Sequence, residues 1–162
     1  MKMISIALVL AAMAAGPAVA SDKTDVVAVV HQFVDAFNKG DMKAALASCA
    51  DITALIDDLP PHEWHGDGAC AKWSSDFDAF NKANGITPGV VTLGKPRHVD
   101  VTAQHAYVVV PTDYAFTMKG KPMKQSGSLI TVALEKGTAG WRMKAWAWSD
   151  GIQAEVKSDS GK

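Results

Sequence analysis

From Thr24 onward the apolar positions Val26, Val30, Phe33 and Phe37, with Val27, Val29 and Val34 beside them, recur every three or four residues, the spacing of one buried helical face. The pattern stops at Gly40, where a left-handed cap suits glycine, and Asp41 is placed to cap a short second helix through Ala44, Ala45 and Leu46. Residues 51–58 hold Ile52, Leu55 and Ile56 and run into Leu59-Pro60-Pro61, which predicts a strand entering a turn. A third helix follows: Asp67 can cap it, Cys70, Trp73, Phe77 and Phe80 share a face, and Gly85 can end it. After Pro88 the period shortens. Val90 to Leu93, Val99 to Val101, Tyr107 to Met118, Gly127 to Leu134 and Trp141 to Trp148 are rich in β-formers and separated by turn residues, which predicts an antiparallel meander. Hairpins are marked at Lys119-Gly120-Lys121-Pro122 and at residues 136–140. Residues 153–162 are small and polar and are expected to form a disordered tail. Helices that precede a run of strands give an α+β domain in which a curved antiparallel sheet wraps around three N-terminal helices.

Of the first 20 residues, 16 are hydrophobic, and the apolar run from Ile4 to Ala15 is followed by Gly16-Pro17 and Ala18-Val19-Ala20. This is the form of a secretory signal cut before Ser21, since a run near 12 residues falls short of the ~20 needed to span a bilayer. The mature chain is therefore expected in the periplasm or outside the cell, with one domain over residues 21–152 and no membrane association after cleavage. Without Lys2, 15 basic residues stand against 17 acidic ones, a net charge of −2. That balance does not describe an electrostatic nucleic-acid binder. Export also changes how Cys49 and Cys70 read. In an oxidising compartment they can bridge, closing a 21-residue loop; two free buried thiols or a reactive cysteine are the alternatives, and no C-x-x-C motif is present.

The order of these elements, together with Phe33-Val34-Asp35-Ala36-Phe37-Asn38-Lys39-Gly40-Asp41, Ala50-Asp51 leading to Asp57-Asp58, and the closing stretch Trp141 to Ser149, resembles the nuclear transport factor 2-like superfamily, which includes SnoaL-like proteins and ketosteroid isomerases. The resemblance covers residues 24–151. It implies a cone-shaped α+β barrel around a pocket and pairing of two copies through the outer face of the sheet. It also implies a test. The isomerases use one carboxylate base and two donors to the enolate oxygen. Asp57 falls at the position of the base, but Phe33 and Thr131 fall at those of the donors. Phenylalanine cannot donate and threonine is a weaker donor than a neutral carboxylic acid, so steroid isomerisation by that route is not expected.

Asp57 is the first candidate base, because a carboxylate in an apolar cone has its pKa raised. Strand alternation lets only one of Asp57 and Asp58 face inward, and a one-residue slip exchanges them. The other role for either is a solvated strand end or a cap. His62-Glu63-Trp64-His65 falls short of the zinc motif H-E-x-x-H and follows two prolines, so a loop near the pocket rim is expected, with His62 as a possible proton carrier and no metal. Trp146 and Trp148 share one face of the last strand, with Trp141 and Met143 expected on the other. With Phe33, Phe37, Trp64, Tyr114 and Thr131 they form the candidate ligand lining. A filled core is the competing arrangement. Asp113 and Tyr114 also alternate, and Tyr114 is the one read as inward.

Three functions follow. The first is an exported cone that binds a small hydrophobic molecule or a partner without chemistry; the second is a SnoaL-like acid/base enzyme acting on a small carbonyl or polyketide-like substrate; the third is a structural dimer whose cone is filled by Trp64, Trp73 and Trp148. No cofactor is called for. An open cavity with an inward, desolvated carboxylate favours the enzyme.

Overall fold

The computed structural model describes residues 17–156. Helix α1 (Pro17–Asn38) buries Val26, Val30, Phe33 and Val34, the stripe legible in the sequence, and Gly40 follows at φ 70°. Its first turn, 17–20, belongs to the stretch read as an export signal; residues 1–16 of that stretch lie outside the described residues. Asp41 accepts the Ala44 N–H at 3.0 Å and caps α2 (Met42–Leu46). Strand β1 (Cys49–Ile56) then pairs antiparallel with β2 (Glu63–Asp67), and α3 (Ala69–Asn84) ends at Gly85 with φ 64°. Two expectations fail here. Residues 63–65 are strand rather than loop, because the prolines occupy the connection and leave the following backbone free to pair with β1. Asp67 ends β2, so the cap position of α3 falls to Gly68 at φ 68°, with no side-chain bond. Among the described residues no helix is long and apolar enough to cross a membrane.

The later strands are β3 (Ile86–Leu93), β4 (His98–Val101), β5 (His105–Met118), β6 (Lys121–Gly137), β7 (Gly140–Ser149) and β8 (Ile152–Glu155). The sheet runs β2-β1-β7-β6-β5-β3, with β4 on β5 and β8 on β6. Lys119 and Gly120, at φ 51° and 80°, turn β5 into β6, as the Lys-Gly signal predicts. The long β5–β6 hairpin changes neighbours along its length. β5 pairs β4 through Ala106–Val109 and β3 through Thr112–Met118, while β6 pairs β7 through Leu129–Gly137 and β8 through Met123–Ser126. Register shifts beside Asp113 and between Ala133 and Leu134 bend the sheet about α1 and α3, which gives the expected cone-shaped α+β fold.

Three details depart from the expected meander. β1 lies parallel to β7, since no hairpin joins them and none dictates their direction. Residues 153–155 are strand, not tail: β7 leaves the edge of β6 at Leu129, and β8 satisfies the backbone groups exposed at Met123–Ser126. Residues 157–162 lie outside the described residues. Finally, Trp141 and Met143 do not take the face opposite Trp146. Lys144 is left unpaired at the bulge, because Leu134 meets Met143 while Ala133 meets Ala145. The extra residue restores parity, and Trp141, Met143 and Trp146 all enter one core with Val108, Val110, Ile130, Val132 and α1.

Cys49 and Cys70 form a disulfide with a Cα–Cα distance of 6.6 Å. It ties the start of β1 to the first turn of α3, the two elements whose next turns carry the residues of the cavity.

Candidate functional site

Between α1, α3 and the concave face of the sheet lies a cavity of about 320 Å³. Its wall is a run of aromatic contacts. Trp146 meets Trp73 edge-on at 5.0 Å, Trp73 stacks on Phe77 at 5.5 Å, Phe77 meets Phe37 at 5.5 Å, and Phe37 reaches Tyr114 at 6.4 Å. Tyr114 in turn stacks on Phe116 at 4.9 Å, and Phe33 closes on Trp146 at 6.1 Å. Helix α3 contributes Trp73, Phe77 and Asn81, four residues apart and therefore one above the other along the cavity.

Asp57 and Asp58 both line this cavity. The alternation that was expected to exclude one of them ends with β1 at Ile56; beyond it Asp57 Oδ1 accepts the Leu59 N–H at 3.0 Å and the chain turns. Asp57 is 9% exposed, and its Oδ2 accepts the Trp73 indole N–H at 3.0 Å. Burial pushes its pKa up from 3.8 to about 7. The hydrogen bond to Asp58 and the charge of Asp58 add to the rise, while the Leu59 N–H and the Trp73 indole oppose it. Asp58 is exposed at the rim. Its Oδ2 accepts from Gln125 Nε2 at 3.2 Å, and the same amide donates to Asp150. Gln125 is itself held through Oε1 by the Trp148 indole at 3.1 Å. The acidic end thus sets two hydrogen-bonded groups side by side, Trp73 with Asp57 and Gln125 with Asp58, Asp150 and Trp148.

Three buried donors in the cavity wall meet no acceptor: the Tyr114 hydroxyl, Asn81 Nδ2 and Trp146 Nε1. The Tyr114 pKa is pushed up to about 12, by burial first, with the charges of Asp58 and Asp57 adding and the Gly89 backbone opposing. It therefore stays a protonated donor across the working range of proteins. No lysine, arginine or histidine is among the described residues lining the cavity.

Of the candidates read from sequence, Asp57, Asp58, Phe33, Phe37, Tyr114, Trp146 and Trp148 line the cavity. Three do not. His62 is exposed, with Nδ1 3.2 Å from the backbone oxygen of Asp57, because its φ of 77° turns the ring away at the start of β2. Trp64 is buried between β2 and α3, where its indole donates to Asp76 at 2.8 Å. Thr131 sits on the outer face of β6, since its neighbours Ile130 and Val132 are the buried ones. Gln125, Asp150 and Asn81 were not foreseen. Asn81 alone had a signal, as a polar residue at the next turn of the Trp73–Phe77 face. Among the described residues no cluster of histidine, cysteine, aspartate and glutamate is arranged to hold a metal.

A curved sheet closed by helices over an aromatic cavity with one buried carboxylate defines a cone-shaped α+β pocket protein. The chain belongs to the SnoaL-like domain family, which it matches over residues 26–153. No curated protein matches its sequence. Among solved structures it is similar to a ketosteroid isomerase-like protein from Erwinia carotovora atroseptica SCRI1043, with 18% identity, a TM-score of 0.64, and 85% of this chain and 98% of that one covered. It is similar to a nuclear transport factor 2-like superfamily protein from Salmonella enterica serovar Typhimurium, at 15% identity and TM-score 0.66 over 90% of this chain and 100% of that one. A type 2 hexachlorocyclohexane dehydrochlorinase gives 9% identity and TM-score 0.67, with 86% and 94% covered. At these identities the likeness is one of fold.

Proposed function

We propose that this chain is an exported acid/base enzyme in which Asp57 removes a proton from carbon next to the carbonyl of a small, flat, hydrophobic substrate. The observation that carries the reading is the buried carboxylate facing an aromatic cavity with a pKa of about 7, which makes it both a stronger base than a solvated carboxylate and largely ionised just above neutrality. In the step, the C–H bond breaks, its proton goes to Asp57, and the electron pair moves onto the carbonyl oxygen. Tyr114, a buried hydroxyl in the same wall that stays protonated, is the donor to that oxygen. The proton returned by Asp57 completes an isomerisation or exchange. Export is supported by the leader-like N-terminus and by the Cys49–Cys70 bridge.

The binding-only reading has one observation in its favour: both oxygens of Asp57 already accept protein N–H groups. Incubating the protein with 2-tetralone in deuterated buffer and following the α-protons by NMR separates the two. Accelerated exchange that disappears in Asp57→Asn supports the enzyme. Binding detected by tryptophan fluorescence with no exchange leaves only the binder.

A further inference from the structure

The charged side chains of the cavity wall are all of one sign. Asp57 and Asp58 line it, while among the described residues no lysine, arginine or histidine does, and most of the remaining wall is aromatic or aliphatic. Gln125 gathers the acidic groups at the mouth: its Nε2 donates to Asp58 at 3.2 Å and to Asp150, and its Oε1 accepts the Trp148 indole N–H at 3.1 Å. One buried amide thus sets an indole beside two carboxylates that are both exposed to solvent. A carboxylate accepts several hydrogen bonds, so Asp58 and Asp150 keep acceptor capacity beyond the single amide they share. Among the described residues neither has a cationic partner. The lysines of β6 that stand nearest to Gln125 in the chain are held elsewhere, Lys124 by Asp113 at 2.9 Å and Lys121 by Glu155 at 2.8 Å.

Both parts of this mouth attract the same kind of group. Carboxylates of one sign beside apolar walls concentrate cations, and an indole draws an ammonium to its ring face. A cation that stops at the mouth keeps part of its hydration, so it avoids the penalty of burying a charge, and the aromatic interior is left to an apolar body. An anion entering the same cavity meets two carboxylates and no cation. We infer that the cavity selects its ligand by charge: it takes a hydrophobic organic amine, with the ammonium at Asp58 and Asp150 beside Trp148 and the apolar body in the aromatic interior, and it turns away carboxylates and phosphates. This rests on reading the cavity as a ligand site and does not depend on proton removal by Asp57.

The test uses three ligands that share one ring system and differ in charge: 2-naphthylmethylammonium, 2-naphthylmethanol and 2-naphthoate. Isothermal titration calorimetry measures their binding to wild type, Asp58→Asn and Asp150→Asn, and a thermal melt reports on the folding of each variant. Work at pH 8 keeps Asp57 ionised in all three proteins, since its pKa is about 7 and removal of Asp58 lowers it. Wild type should bind the ammonium about five- to tenfold more tightly than the alcohol, the scale of one ion pair and one cation–π contact at a partly exposed site, and the naphthoate most weakly of the three. Raised salt should narrow the ammonium preference. Asp58→Asn should reduce that preference by about fivefold while leaving the affinity for the alcohol unchanged, and Asp150→Asn should reduce it by less. Equal binding of ammonium and alcohol by wild type, tighter binding of the naphthoate, or a preference that is the same in wild type and both variants overturns the inference, even if α-proton exchange on 2-tetralone proceeds. Charge preference through Asp58 without exchange keeps the inference and removes the catalytic reading. Failure of wild type to bind any of the three ligands overturns it.

Discussion

The two ends of the cavity are built differently. At the β1 end, Asp57 accepts from Leu59 and Trp73, and beside it Gln125 joins Asp58, Asp150 and Trp148 by hydrogen bonds. At the C-terminal end of α3, Asn81 lies deeper in apolar surroundings than Asp58 does and has no partner for its amide. Hydrogen-bonded partners fix geometry and tune charge; an unpaired buried donor costs stability. The contrast places the candidate chemistry at the first end, and substitutions at each end test that division.

Asp57→Asn should have the largest effect. Removing a general base lowers the rate by about 10²- to 10⁴-fold, so α-proton exchange should fall to near background while ligand affinity changes little. Loss of affinity with exchange retained would reverse the roles given to the two ends. The same variant changes stability in a defined direction. The folded protein keeps a proton on Asp57 that the unfolded chain has released above 3.8, so the contribution of Asp57 is fullest below about 4 and is lost as pH rises to about 7. Wild-type stability should therefore fall relative to Asp57→Asn by about 1.4 kcal/mol per pH unit within that window, measured by urea unfolding at pH 4.5, 5.5 and 6.5. Parallel stability curves would show that the carboxyl is not raised.

The disulfide supports the acidic end more directly than the other, because Cys70 begins the helix whose next turn carries Trp73 and Cys49 begins the strand that leads to Asp57. Replacing both cysteines by alanine should lower stability by about 3 kcal/mol, from the freedom regained by a 21-residue loop in the unfolded chain. Asp58→Asn is a smaller change. It removes the hydrogen bond and charge that raise Asp57, so the rising limb of kcat/KM, expected near pH 7, should move to lower pH. An upward movement would mean that Asp58 assists the base by another route.

What was legible in the sequence was whatever follows from period and from local backbone rules. The Val26–Val30–Phe33 stripe, the stops at Gly40 and Gly85, the cap at Asp41 and the inward side of Tyr114 all depend on residues close in the chain. Two misreadings share a cause. Alternation was carried through Lys144, where a bulge resets it, and past Ile56, where the strand has ended. Strict alternation therefore puts Trp141 on the wrong face and makes Asp57 and Asp58 exclusive, whereas the bulge and the strand end remove both constraints. β8 stayed hidden because its side chains are exposed and its pairing answers a backbone vacancy on β6. Gln125 and Asp150 were out of reach, since their meeting with Asp58 joins positions far apart in sequence.

The smallest effect is also the one that separates the two ends most cleanly. The fold gains nothing from the Asn81 amide nitrogen, and Asn81→Leu removes an unsatisfied buried donor while filling the same space with apolar atoms. Stability should then rise by about 1 kcal/mol, which for a domain of this size moves Tm upward by roughly 3–5 °C. Gln125→Leu should do the opposite, because it strips Asp58, Asp150 and the Trp148 indole of their common partner. Differential scanning calorimetry of the two variants at pH 7.5 gives both signs in one experiment. A Tm that falls in Asn81→Leu as it does in Gln125→Leu would mean that the α3 end is held together by its amide as the acidic end is by its network, and that the two ends do not differ in kind.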